Sequence, residues 1–460
     1  MVYDLIVLGG GPAGYVAAER AGHAGFKVAL VEERELGGVC LNEGCIPTKT
    51  MLYSAKLHDG VKYGEKYGVT ADNLKMDHQK VLARKAKVVK TLVGGVKTTM
   101  KANQVAVFTG HAEITGKGAE GFLVKAGEEI LSGRRLLIAT GSSPAMPPIP
   151  GLKEGYEKGF VLTNREILDL NEVPGRLAVV GGGVIGLEMA SYFNSAGSQV
   201  QVVEMLDHIA GENDQDLVAI LKADFEKRGI TFALSAKVTA IEENGVRYEQ
   251  DGQSHFIKAD RVLLSIGRRA NTQGIGLEAI GVYTDRGAVV TDATMMTNVP
   301  DVYAAGDVNG FSMLAHTAHR EGEVAVNNML GKKDLMRYEA IPAVLYTNPE
   351  LASVGETEAT ARAKGLSFKT VQLSMRYAGR YQAENEGGRG IAKLLVRPDT
   401  QQVIGMQALS NYASEFIIAA TSYIELGLNL ETIKKIVFPH PTVSEIIREA
   451  VFQYEEGAAT

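Results

Sequence analysis

At 460 residues the chain is long enough for about three domains, and 45% hydrophobic with 22% charged residues is ordinary for a globular protein. The formal net charge of −6 gives no electrostatic reason to expect nucleic acid or an anionic membrane as partner, and no apolar run approaches the ~20 residues that span a bilayer. Two cysteines are too few for a secreted disulfide scaffold, and Met1-Val2-Tyr3-Asp4 leads straight into an apolar strand without a signal or transit segment, so the expected compartment is the cytoplasm.

Residues 4–8 are a short apolar run of buried-strand type. They feed Gly9-Gly10-Gly11-Pro12-Ala13-Gly14, a GxGxxG, then a helical stretch over 15–24 and a second strand over 27–31 that ends in Glu32. Glycines at this spacing let the backbone turn tightly and approach a pyrophosphate at a helix N-terminus, while the acid binds ribose hydroxyls. The GxGxxG alone is a weak signal. The strand–turn–helix–strand–acid context makes it a dinucleotide site.

Residues 37–49, GGVCLNEGCIPTK, hold both cysteines. In a regular helix, residues five apart are ~8–9 Å apart between Cα atoms, whereas a disulfide needs roughly 4.4–6.8 Å. Cys40 and Cys45 can bridge only if the backbone between them is distorted, and Gly44 supplies that freedom. Pro47 reads as a first-turn helix residue, which puts Cys45 at a helix N-terminus, where the dipole favours a thiolate. A bridge of this kind can open. The same pair would also serve as a structural disulfide, as half of a zinc site whose other ligands are missing nearby, or as two unrelated core cysteines. In a reducing compartment a close pair favours the redox reading.

Helices are expected over 46–68 and 76–102. The second carries Lys80, Arg84, Lys85, Lys87, Lys90, Lys97 and Lys101, read as a solvated face. Residues 104–108, 122–125 and 135–139 are strand-like, and Thr140-Gly141-Ser142-Ser143-Pro144 with the Pro-rich 146–151 forms a linker. At 177–180 the opening pattern repeats: Gly181-Gly182-Gly183-Val184-Ile185-Gly186 opens a helix, and a strand over 199–203 ends in Glu204. Two such units imply two nucleotide ligands. An acid at 204 followed by Met205-Leu206-Asp207, with no arginine or lysine, favours NAD over NADP. Strands over 261–266 and 302–307 and a helix over 313–330 follow. From 341 the pattern becomes α+β, with strands over 368–373, 391–396 and 403–408, helices over 413–426 and 431–436, and a last helix opened by Pro439-His440-Pro441-Thr442-Val443-Ser444-Glu445.

Two nucleotide units, a close cysteine pair and a late His/Glu pair resemble the pyridine nucleotide–disulfide oxidoreductases from residue 3 to about residue 452. The motifs are GGVCLNEGCIPTK, ATGSSP, GGGVIGLE, AAGDV, MLAH, YTNPELASVG and HPTVSE. The resemblance implies an α/β fold: an FAD-binding domain over 1–148 completed by 270–340, an NAD-binding domain over 149–269, and an α+β dimerisation domain over 341–460. It implies that FAD is held by Gly9, Gly11, Gly14, Glu32, Lys49, Ala112, Thr140, Gly141, Ser142, Asp307 and Ala315. NAD would be held by Gly181, Gly183, Gly186, Glu188, Glu204, Val238 and Gly267, with Glu188 pairing Lys49. Cys40 would exchange with substrate, Cys45 would face the flavin, and His440, oriented by Glu445, would be the acid–base. Within the family the motifs lie nearest the members that oxidise protein-bound dihydrolipoamide, so the expected partners are a second copy of the chain and a lipoyl-bearing protein of a 2-oxo acid dehydrogenase or glycine cleavage complex. A reductase of the glutathione disulfide type and a redox-silent flavoprotein scaffold are the alternatives. Phe438 and Glu43 depart from the family pattern, and Glu43 would oppose a Cys45 thiolate if it pointed inward.

Overall fold

The computed structural model describes residues 1–455. Its first parallel sheet has the strand order Val302–Ala304, Leu136–Ile138, Leu5–Leu8, Val28–Glu32 and Ala106–Thr109. Leu5, Ile6, Val7 and Leu8 are all fully buried, which explains a continuous apolar run where a half-exposed strand would alternate. A second parallel sheet repeats the plan, in the order Val161–Leu162, Arg261–Leu264, Arg176–Val180, Gln199–Val203 and Thr231–Ala233. Each sheet is accompanied by a three-stranded antiparallel meander, over residues 112–133 and 237–258. Residue 302 pairs back onto Leu136, so the segment after the second unit returns to finish the first sheet.

The third sheet is antiparallel: Ala343–Leu345, Glu350–Gly355, Val403–Ser410, Ile391–Val396 and Lys369–Ser374. Helices Ala413–Glu425 and Glu445–Glu455 drive Phe416, Ile417, Ile446 and Ile447 into its core. Along Ile391–Val396 the side chains alternate as a strand requires. Ala392, Leu394 and Val396 enter that core, while Lys393 is buried in ion pairs with Asp214 at 2.9 Å and Asp216 at 2.5 Å. Asp214 caps the helix Gln215–Lys227, so the third domain is tied to the second nucleotide unit.

Two helical expectations change. The helix expected over 46–68 is Cys45–Lys62 followed by a separate turn Glu65–Tyr67. A Cβ on Gly64 would sit 2.8 Å from the Val69 carbonyl oxygen, so the chain folds tightly back there. The helix His78–Ala102 does not keep all its cations in solvent. Lys85 shares its buried face with His78, Val81 and Val93 and donates to the Leu168 carbonyl at 2.5 Å and to Asp169.

Candidate active site

The two cysteines sit on either side of a helix break. Cys40 lies in the short helix Gly38–Glu43, and Cys45 opens Cys45–Lys62. Between them Gly44 leaves helical geometry at φ −145° and ψ −107°. Asn42 holds the turn by donating its side-chain amide to the carbonyls of Leu36 at 3.1 Å and Gly38 at 2.9 Å. Both cysteines are free thiols. Hydrogen-bonding from Cys40 brings the Cys45 thiol down to about 7; burial opposes this and the Lys49 ammonium assists it. Cys40 moves the opposite way, raised by the bond it donates and by burial. Of the two thiols Cys45 is therefore the more acidic.

One turn along the helix, Lys49 reaches both oxygens of Glu188, at 2.9 and 2.8 Å. Only 4% of the Glu188 side chain is exposed, and its carboxylate also accepts the Tyr346 amide at 2.9 Å. The Tyr346 ring lies 4.5 Å from the Lys49 Nζ. Elements of all three domains thus meet beside Cys45. Tyr346 was not among the residues expected at the site; its motif, YTNPE, was recognised, but nothing in the sequence showed that its backbone would close on Glu188.

Glu43 does not point at Cys45. Its carboxylate is held by Arg34 and by Arg165 Nε at 2.9 Å. Its carbonyl accepts from Asn164 at 2.8 Å, and Asn164 in turn accepts from Arg268 at 3.1 Å. Arg268 also donates to the hydroxyl and carbonyl of Ser142, whose hydroxyl donates to Asp307. Ser142 and Asp307, 165 residues apart, are thereby joined. Arg268 is a further residue that the sequence reading did not single out.

The two glycine triplets are superimposable in their constraints. Gly9 and Gly181 have φ of +103° and +105°, and a Cβ on either would meet a carbonyl oxygen of the neighbouring strand's end, Ala139 at 2.3 Å or Ser265 at 2.4 Å. Gly14 and Gly186 allow a close approach: a Cβ would lie 1.9 Å from the Gly9 oxygen and 2.1 Å from the Gly181 oxygen. At Gly11 and Gly183 a Cβ would meet nothing closer than 3.8 Å. The absent side chains therefore leave open space before each helix N-terminus, which is what a pyrophosphate requires. Glu32 and Glu204 take matching backbone bonds, from the Gly10 and Gly182 amides at 2.7 and 2.6 Å.

A cavity of about 1150 Å³ runs past the first triplet, lined by Gly9, Glu32, Ala112 and Thr140 together with Asn271, Phe311 and Met313. That is the size class of an extended cofactor rather than a small metabolite, so the residues present fit a flavin dinucleotide. Gly141 (φ +69°) precedes Ser142, and Ala315 begins the helix Ala315–Met329. On the second unit Val238 is half-buried on Lys237–Glu242, and Gly267 turns the chain at φ +112° after the strand Arg261–Leu264.

His440 Nδ1 lies 2.8 Å from Glu445 Oε1, and the other Glu445 oxygen accepts the Thr442 amide at 2.8 Å. Burial tends to raise the Glu445 carboxyl, but these two bonds outweigh it and hold it below the usual range. The His440 side chain is 77% exposed. Among the described residues no hydrogen bond or ion pair joins it to either cysteine. The structure brings Cys40, Cys45, Lys49 and Glu188 together and leaves His440 and Glu445 apart from them. Among the described residues no group of three or more His, Cys, Asp or Glu side chains is placed to hold a metal ion, and no helix is long and apolar enough to cross a membrane.

Residues 3–322 match the pyridine nucleotide-disulphide oxidoreductase family, and residues 341–451 match the dimerisation domain of that family. The chain belongs to this family of flavin- and nicotinamide-dependent oxidoreductases, with two nucleotide-binding domains of Rossmann type and a C-terminal α+β dimerisation domain. It is 37% identical over 449 residues to a dihydrolipoyl dehydrogenase of Chlamydia muridarum, covering 97% of this chain and 96% of the relative. It is 36% identical over 453 residues to one of Mycoplasma pneumoniae, covering 98% of each. Among solved structures, LpdA of Mycobacterium tuberculosis superposes with a TM-score of 0.90 at 27% identity, covering 98% of this chain and 99% of that one.

Proposed function

We propose that the chain is a cytoplasmic, homodimeric dihydrolipoyl dehydrogenase that oxidises the dihydrolipoyl arm of a carrier protein of a 2-oxo acid dehydrogenase or glycine cleavage complex. The observation that carries this reading is the Cys40/Cys45 pair astride a helix break, with the more acidic thiol at the helix N-terminus beside Lys49. The full-length likeness to dihydrolipoyl dehydrogenases supports the choice of substrate. The flavin domain takes residues 1–148 and 270–340, the NAD domain 149–269, and the interface domain begins at 341. FAD is held by Gly9, Gly11, Gly14 and Glu32, with Lys49, Ala112, Thr140, Gly141, Ser142, Asp307 and Ala315. NAD is held by Gly181, Gly183, Gly186 and Glu204, with Glu188, Val238 and Gly267. When bound, FAD supplies the two-electron acceptor that NAD⁺ regenerates.

The protein's own part is thiol–disulfide exchange. In the oxidised enzyme Cys40 and Cys45 are bridged. His440, whose Nδ1 is engaged by Glu445, uses Nε2 to take a proton from one substrate thiol. The resulting thiolate attacks Cys40 Sγ; the Cys40–Cys45 bond breaks, and its electron pair leaves on Cys45. Low thiol pKa makes Cys45 the better leaving group. The second substrate thiol gives up its proton to solvent and attacks the substrate sulfur held on Cys40. Cyclic lipoamide disulfide forms, and the expelled Cys40 recovers a proton from His440. The products on the protein are a Cys40 thiol and a Cys45 thiolate, a distribution supported by Cys45 being the more acidic of the two. Since His440 makes no contact with its own chain's cysteines, the acid–base is assigned to His440 of the partner subunit across a two-fold interface.

The test is NAD⁺ reduction by dihydrolipoamide, run beside NADH and NADPH oxidation by lipoamide and glutathione disulfide. Turnover with dihydrolipoamide and NAD⁺, and in reverse with lipoamide and NADH, but not with glutathione disulfide or NADPH, is the expected result. Preference for glutathione disulfide with NADPH would refute the assignment.

A further inference from the structure

The helix Gly38–Glu43 ends without the bond that would continue it. In a longer helix the Glu43 carbonyl would accept from the amide four residues on, but that residue is Pro47, which has no N–H. The donor comes instead from beside the second nucleotide sheet, where Asn164 Nδ2 lies 2.8 Å from the Glu43 oxygen. The next residue is Gly44, and a Cβ placed on it would lie 3.1 Å from the Val39 carbonyl oxygen and 3.6 Å from the Cys40 Cα. The junction that Asn164 grips is folded against Cys40 on one side and joined covalently to Cys45 on the other.

Asn164 has little freedom to do anything else. It is 7% exposed, and the helix Asn164–Leu168 that it opens is fixed by a capping box between Thr163 and Glu166. Its amide can face only one way. A guanidinium donates and never accepts, so Oδ1 must face Arg268 Nη1 at 3.1 Å, which leaves Nδ2 for the carbonyl. Arg268 is held in turn. Its Nε and Nη2 donate to the Ser142 hydroxyl and carbonyl at 2.7 and 2.6 Å, and its strand Arg268–Ala270 pairs with Ser142–Pro144. An unbroken row of hydrogen bonds runs from that two-stranded ribbon to the backbone between the two cysteines.

We propose that Asn164, aimed by Arg268, is a positioning residue for thiol–disulfide exchange: its amide clamps the Glu43 carbonyl and keeps the Gly44 junction in the shape in which Cys40 and Cys45 can bridge. The proposal rests on the reading of Cys40 and Cys45 as exchange thiols. With the bridge formed, the S–S bond itself fixes the junction. With that bond broken, the junction depends on Asn164 from outside the segment and on Asn42 from within it. Without the clamp the dithiol form can relax into other shapes and the bridged form cannot, so losing the clamp favours the dithiol. The worth of one hydrogen bond limits the effect to about three- to tenfold in the equilibrium constant, or ~15–30 mV for a two-electron couple.

The holoenzyme is equilibrated at neutral pH with graded ratios of reduced to oxidised dithiothreitol and quenched with iodoacetamide, and mass spectrometry reads the fraction bridged between Cys40 and Cys45. In this exchange dithiothreitol closes to its cyclic disulfide, and its two electrons and two protons pass to Cys40 and Cys45 as the bond between them breaks. Asn164→Ala and Asn164→Leu, the second close to asparagine in size, should each move the equilibrium about three- to tenfold toward the dithiol, a midpoint potential ~15–30 mV more positive. Flavin absorbance reports whether each variant keeps its cofactor, which a general loss of structure would not allow. Should Asn164→Leu lose its flavin, Asn164→Ala carries the comparison. A wild-type or more negative potential in either flavin-replete variant overturns the clamp. Failure of the underlying reading is separable: the wild-type enzyme would then form no Cys40–Cys45 bridge at any buffer ratio.

Discussion

The charge pair beside Cys45 makes a prediction with a sign. Lys49 follows Cys45 by one helical turn, the spacing that brings side chains to ~5–6 Å at Cβ. At ~6 Å with an effective dielectric of ~20, one unit charge is worth about 2.8 kcal/mol, or ~2 pKa units. Lys49→Met removes the ammonium that lowers Cys45 and leaves beside it the Glu188 carboxylate, which raises it. The net effect on Cys45 is the loss of one positive neighbour, while the Cys40 hydrogen bond, the larger influence, survives. The Cys45 thiol should rise from about 7 toward ~9. At pH 7.5 the thiolate fraction would then fall from roughly three-quarters to a few per cent. Glu188→Gln has the opposite sign, because it frees Lys49 to act on Cys45 undiminished. The assay is the long-wavelength thiolate–flavin absorbance of the two-electron-reduced enzyme, titrated with pH. Lys49→Met should lose the band at pH 7.5 and recover it in alkali, and Glu188→Gln should retain it to lower pH than wild type. Shifts of both variants in the same direction would falsify the electrostatic account.

Gly186→Val should abolish NADH binding, followed by fluorescence, while leaving FAD content intact, since its Cβ would lie 2.1 Å from the Gly181 carbonyl oxygen in the second unit alone. Lys393→Met should lower stability by ~3–5 kcal/mol, because Asp214 would be left buried and uncompensated; chemical denaturation reads the loss, and adding Asp214→Asn should recover much of it. Cys45→Ser and His440→Gln homodimers should each be nearly inactive. After subunit exchange, an equal mixture should regain roughly a quarter of wild-type activity, since half the dimers hold one complete site; no recovery despite proven exchange would exclude a shared site.

The parts of this molecule that are legible in its sequence are those whose constraint is local. Gly9 and Gly14 are five residues apart, and the carbonyl that excludes a side chain at Gly14 belongs to Gly9 itself, so spacing alone carries the geometry. The same holds for the break at Gly44 and for the acids at 32 and 204. What escaped depends on partners far along the chain. Tyr346 closes on Glu188 from 158 residues away, and His319 meets Tyr15 across 304; no periodicity encodes either. Lys85 was different, because the signal was present. It follows Val81 by four positions and His78 by seven, on the stripe that is buried, but a lysine in such a stripe reads as an error until Asp169 and the Leu168 carbonyl arrive from another element.

Glu43 shows why charge at a site cannot be summed along the chain. Taken with its neighbours in sequence, it is an anion two residues from Cys45, and Glu33 and Glu35 upstream deepen the impression. In the fold its carboxylate lies between Arg34, nine residues back, and Arg165, 122 residues on. The three-residue cluster carries a net charge of +1, from two arginines and one carboxylate, so Glu43 is not a free anion beside Cys45. The departure from the family pattern at 43 is therefore compensated at 34 and 165, and the cluster also spans the first and second nucleotide units. An acid that looked like a cost to the cysteine chemistry instead becomes a tie between the domains that must stay in register for it.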